Sequence, residues 1–153
     1  MTANRMDHES LERIVIGILQ EAAFVFAEPT EKRAPDEREV LVARLGFDGP
    51  TSGEMLLSCS PIVATDLAAN LLGIEPDDPD AEARGGDAIG EMLNIVGGAL
   101  LADWFGIDGK FEMGVPSVSQ LTPADYVRQT DNAYLMLPLE TDEGERIDVA
   151  VLS

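Results

Sequence analysis

Asp87, Glu91, Asn94 and Gly98 follow one another at steps of four, three and four residues. On a helix turning about 100° per residue they share one face, with a carboxylate and a carboxamide one turn, about 4.5 Å, apart along the axis. Ile89, Leu93, Val96 and Leu100 repeat the same steps on the opposite side. The apolar stripe belongs in a core, so Glu91 and Asn94 face outward. A carboxylate pairs with a cation, while a carboxamide both accepts and donates hydrogen bonds and can hold a water molecule without ionising.

Gly90, Gly97, Gly98, Ala99 and Ala102 leave little bulk beside that pair. A glycine inside a helix costs roughly 1 kcal/mol relative to alanine, so three of them ask for a reason, and close approach of another backbone supplies one. The face is shaped to enter a partner's cleft, with Glu91 and Asn94 reaching in and Asp87, Gly90 and Gly98 against the partner. The alternative is a solvated helix face on which the acid and the amide are incidental. Asp87 has two readings of equal weight, a partner contact or a helix cap.

Other chemistries fall away. His8 is the sole histidine and has no cysteine or histidine neighbour, which removes the usual zinc sites and the serine-type triad. Cys59, the sole cysteine, ends an apolar run without a basic neighbour and reads as a small buried residue. No metal ligand and no bound cofactor is expected in this chain. A formal charge of −19 opposes nucleic acid and anionic lipid. The N-terminus lacks the features of a secretory signal, and no segment is expected to approach the apolar length that spans a bilayer. With one cysteine and no signal, a cytoplasmic location is expected.

The elements that position the acid and the amide follow from periodicity. A helix of about 20 residues is expected after the cap Asp7, carrying Leu11, Val15, Ile18, Ala22 and Val25 until Glu28-Pro29 stops it. A loop over Pro29 to Arg38 leads into a strand from Val40 to Phe47, a turn from Asp48 to Gly53, and a second strand from Glu54 to Cys59. Ser60 caps and Pro61 opens a helix that Gly73 ends, and an acidic loop follows over Glu75 to Asp80. The helix carrying the chemistry covers Asp87 to Phe105, with a start as early as Asp80 left open by Gly85-Gly86. Strands over Lys110 to Val118, Ala133 to Leu139 and Arg146 to Leu152 close the chain. The order αββααβββ predicts one α+β domain over residues 1–153, with long helices packed on a largely antiparallel sheet.

Several local matches spread over roughly residues 45 to 120 resemble the CheX/CheC family of chemotaxis phosphatases. That family marks its active helix with an acidic or hydroxyl residue, three residues, Glu, two residues and Asn. Asp87, Glu91 and Asn94 stand at that spacing, with a family-like glycine at Gly98. Phe47-Asp48-Gly49 with Gly53 to Leu57 resembles the family's hairpin, Leu67 to Gly73 its following helix, and Gly114 to Val118 its Pro-x-Val strand. Glu-x-x-Asn recurs by chance; the ordered set carries the resemblance. Two departures stand out. Phe24 follows Glu21 in the first helix where a second active helix would need asparagine, and Gln120 stands where a glycine is common.

The resemblance implies a CheC-like fold, one active helix per chain as in CheX-type members, and a homodimer paired through its sheets. It implies hydrolysis of the phospho-aspartate of a CheY-like response regulator, which brings its own Mg²⁺ and lysine. Asn94 would then hold the attacking water in line, and Glu91 would pair with the regulator's lysine. A non-catalytic regulator-binding or flagellar-switch-type domain of the same fold, and a general acidic scaffold, are the rival readings.

Overall fold

The computed structural model describes residues 6–31, 39–106 and 109–153. In chain order the elements are α1 (His8–Ala23), β1 (Ala27–Pro29), β2 (Val40–Asp48), β3 (Gly53–Cys59), α2 (Pro61–Leu72), α3 (Pro79–Ala83), α4 (Gly85–Phe105), β4 (Glu112–Met113), β5 (Ser117–Leu121), α5 (Pro123–Thr130), β6 (Leu135–Thr141) and β7 (Arg146–Leu152). All the strands join one antiparallel sheet in the order β1-β6-β7-β3-β2-β4, with β5 also paired to β2. The expected α+β architecture is present, and β2 and β3 form the expected hairpin.

Alternation along the strands divides the sheet into two faces. Ala43, Leu45 and Phe47 of β2, Met55, Leu57 and Cys59 of β3, Leu137 and Leu139 of β6, and Ile147, Val149 and Val151 of β7 meet α1, α2 and α4 in the main core. Gly85, at the start of α4, allows α2 close: a β-carbon there would stand 3.1 Å from that of Ala64. The start of α1 and the end of α4 are tied by the Trp104 indole, which donates to Ser10 Oγ at 2.6 Å, while that hydroxyl donates to the Asp7 carbonyl at 3.1 Å. Asp7 caps α1 as expected, accepting from the Ser10 N–H, and these bonds hold its carboxyl below the usual range.

The expectation fails in several places, among them the acidic loop through Asp80, where Asp78 caps the short helix α3 from Pro79. α1 ends at Ala23 rather than near Glu28, because Phe24 turns to the left-handed conformation (φ 57°) and the chain leaves to pair β1 with β6. The apolar periodicity runs on to Val25, which packs on the core from outside the helix. The strand expected over Lys110 to Val118 is instead two short ones, β4 and β5, and β5 runs on to Leu121. α5 was not expected at all, although Thr122 caps it and Pro123 opens it as Ser60 and Pro61 do for α2. Finally, α4 is long and apolar enough to cross a bilayer by length and composition, against the expectation for this sequence. Most of its large apolar side chains are those of a core helix, buried between the sheet and the other helices, with Ile95 exposed. Of the loop expected over Pro29 to Arg38, residues 32–38 lie outside the described residues.

α5 covers part of the second face of the sheet, over Val40, Val42, Leu56 and Ala150. Its anchor is Tyr126. The phenol donates to Asp148 Oδ2 at 2.8 Å and accepts from Ser58 Oγ at 2.8 Å, while Arg146 Nε holds the other Asp148 oxygen at 2.9 Å. Burial pushes the Asp148 carboxyl up, and burial together with the Asp148 charge pushes the Tyr126 phenol up. The same two causes raise Cys59 to about 12, so this buried thiol is inert. Replacing Tyr126 by Phe removes a hydrogen bond from two buried polar groups at once. Tyr126→Phe is expected to lower unfolding stability by about 1–3 kcal/mol, read from the urea midpoint, with the far-ultraviolet spectrum unchanged.

Candidate functional site

α4 is the centre of the helical layer. Ile89, Met92, Leu93, Val96, Leu100, Leu101 and Trp104 are buried on its inner side. The outer side carries Asp87, Glu91 and Asn94, all exposed. The alternation read from the sequence therefore holds along the working stretch of the helix. Among the described residues, neither Glu91 nor Asn94 is engaged by a hydrogen bond or ion pair, and both side chains are available to a visitor.

An open groove of about 550 Å³ runs beside them. One wall is α4, through Gly86, Asp87, Gly90, Glu91 and Asn94, and the other is the segment Met113 to Val118 entering β5. That second wall follows from strand pairing. β4 sets Met113 opposite Phe47, β5 sets Val118 opposite Ala43, and the Gly114 N–H donates to the Gly46 carbonyl at 2.8 Å. The chain between the two strands is thus stretched along the outer flank of α4. The sequence placed a strand here but held no signal that it would border the site, because β2 and β5 pair across more than seventy residues of chain.

The glycines divide into different uses. Gly90 is buried, and a β-carbon there would lie 3.7 Å from both Pro116 Cβ and Val118 Cγ2. The neighbour approaching Gly90 is thus the chain's own β5, where the sequence suggested a partner. Gly97 faces inward, 3.4 Å from Leu45 and Met55 measured from a built β-carbon. Gly98 is half-buried on the outer side, near Met113. Asp87 is not the helix cap: α4 starts at Gly85, two residues earlier, without a side-chain cap. Its carboxylate lies instead in the first turn, where the partial positive charge of the helix end favours it.

α1 offers no second site of this kind. Glu21 lies in its last turn, and Phe24 is already beyond the helix, in the left-handed conformation. His8 contacts the Met136 carbonyl and Glu12 at the far end of α1. Among the described residues, no three His, Cys, Asp or Glu side chains gather as metal ligands.

The family model for the chemotaxis phosphatase CheX matches residues 41–140, a span that includes this helix face and both walls of the groove. The chain belongs to the CheX family. Several solved structures share its fold. CheX in the CheX–CheY–BeF3–Mg complex from Borrelia burgdorferi superposes with a TM-score of 0.70 at 16% identity, covering 97% of this chain and 98% of that one. A CheC-like superfamily protein from a Shewanella species gives 0.62 at 17% identity, over 95% and 96%. FliY from Thermotoga maritima gives 0.59 at 15% identity, over 100% and 92%. Among curated proteins, no relative matches the chain.

The contact at Gly90 is close but ordinary, so a methyl group fits and a longer side chain does not. Gly90→Ala is expected to fold with stability equal to or up to about 1 kcal/mol above that of the unaltered chain, through helix propensity. Gly90→Leu should lose about 1–3 kcal/mol by forcing β5 away from α4. Urea unfolding of the two variants checks both.

Proposed function

We propose that this chain hydrolyses the phospho-aspartate of a CheY-like response regulator. The observation that carries the proposal is the pairing of Glu91 and Asn94, exposed and unengaged beside an open groove on α4, in a chain of the CheX family. The CheX–CheY complex of Borrelia burgdorferi supports the choice of partner.

Phosphoryl transfer asks little covalent help of a protein. It needs a nucleophile in line with the scissile bond and compensation for charge on the transferred group. The regulator brings the metal ion and the lysine that provide the compensation, and what is missing is a fixed water. The Asn94 carboxamide accepts a hydrogen bond from that water through its oxygen and donates toward a phosphoryl oxygen through its nitrogen. Water attacks phosphorus, the bond from phosphorus to the aspartyl oxygen breaks, and the carboxylate leaves. The proton passes to the departing phosphate or to solvent. Glu91, one turn away, pairs with the lysine and fixes the depth and angle at which α4 enters. Asp87, nearer the helix start, borders the same groove and contacts the regulator there.

This reading places the chain in the cytoplasm, where phosphorylated regulators are found, and makes it a homodimer paired through its sheets. A sedimentation mass equal to one chain at micromolar concentration would refute the dimer.

The second reading is a regulator-binding or flagellar-switch-type domain of the same fold without turnover. Turnover against stoichiometric binding separates the two, since docking alone has no need of a water-holding amide. Asn94→Ala is expected to slow phosphate release from a phosphorylated receiver domain by about 10²-fold or more while binding persists. Glu91→Ala should mainly weaken engagement. Both are read from the loss of radiolabelled phosphate, and unaltered activity in either variant removes that residue from the mechanism.

A further inference from the structure

We infer that Val115 is a preformed apolar docking contact for the receiver domain, flanking the acid and amide on the groove side as Ile95 flanks them on the other; the inference rests on the function proposed above. Val115 is 90% exposed, the most exposed of the large apolar side chains among the described residues. It adds nothing to the core, so the fold gives no reason for an apolar residue at this place.

Its backbone is nevertheless fixed from both sides. Gly114 before it is hydrogen-bonded to Gly46 of β2 at 2.8 Å, and Pro116 after it packs over Gly90 of α4. A following proline confines Val115 to extended conformations, and its β-branched side chain is stiff at the first torsion. A side chain held in this way loses little conformational freedom when it is covered, so its burial is retained as binding energy.

Its surroundings indicate what covers it. The charged residues lining the groove are Asp87 and Glu91, both acidic, so the complementary surface has a cation at its centre. Ile95, 37% exposed, lies one residue beyond Asn94 on the side of α4 away from the groove, and Val118, 40% exposed, continues the apolar strip from Val115. Acid and amide are thus bracketed by apolar side chains. This is the pattern of an interface in which surrounding contacts exclude water from a central polar pair. A receiver domain presenting a lysine beside its phospho-aspartate supplies that cation.

The test is steady-state phosphate release from CheY-type receiver domains phosphorylated by a small-molecule donor. Val115→Asp is expected to raise KM at least tenfold with kcat within twofold, and Val115→Ile to keep both. The exposed position predicts an unchanged urea midpoint for either variant. Turnover by the unaltered chain with the same KM in Val115→Asp overturns this inference and leaves the proposed function standing. If the unaltered chain binds beryllofluoride-activated receiver without turnover, the proposed reaction falls and the contact is read from Kd instead. A tenfold weakening by Val115→Asp then supports it, and equal affinity overturns it. Absence of both turnover and binding overturns both.

Discussion

The burial of one side of α4 is the constraint on which the rest depends. Seven large side chains from Ile89 to Trp104 are packed against the sheet and the neighbouring helices. Fully burying one such side chain is worth about 1.5–3 kcal/mol, so together they rival the net stability of a whole domain, about 5–15 kcal/mol. No rotation of α4 about its axis is compatible with keeping them buried. The outward direction of Glu91 and Asn94 is therefore imposed by the core and needs no interaction of their own. Two polar groups without partners among the described residues are ready to bind something else.

The groove beside them depends on a second constraint, the pairing of β4 and β5 with β2. That pairing stretches Gly114, Val115 and Pro116 along the helix flank, and Gly90 lets the segment lie close. Half of the site's wall is thus built by residues far in sequence from the helix that carries the chemistry. The glycines of α4, alike in sequence, serve separate purposes: Gly85 admits α2, Gly90 admits β5, and Gly97 faces Leu45 and Met55 of the sheet.

On the other face of the sheet, α5 is held by the Ser58–Tyr126–Asp148–Arg146 hydrogen bonds. Ser58, Tyr126 and Asp148 are buried and bonded to one another, Arg146 reaches Asp148 from a half-buried position, and the inert Cys59 lies on the helical side of β3, the strand that carries Ser58. The buried polar groups hold the fold, whereas Glu91 and Asn94 on α4 face outward and are open to a partner.

The sequence by itself determined which side of α4 faces out, because the spacing of Ile89, Leu93, Val96 and Leu100 has a helical period and a helix has only one core face. It also determined the β2–β3 hairpin and the cap-and-proline start of α2, whose signals are local. The tertiary structure alone decided where α1 stops, since its apolar period continues to Val25 while pairing with β6 draws the chain away at Phe24. It alone decided that Met113 to Val118 wall the site, and that the approach to Gly90 comes from within the chain. Contacts between segments far apart in sequence leave no periodicity in either segment. They follow from which surfaces bury each other, and that is settled only when the whole chain has packed.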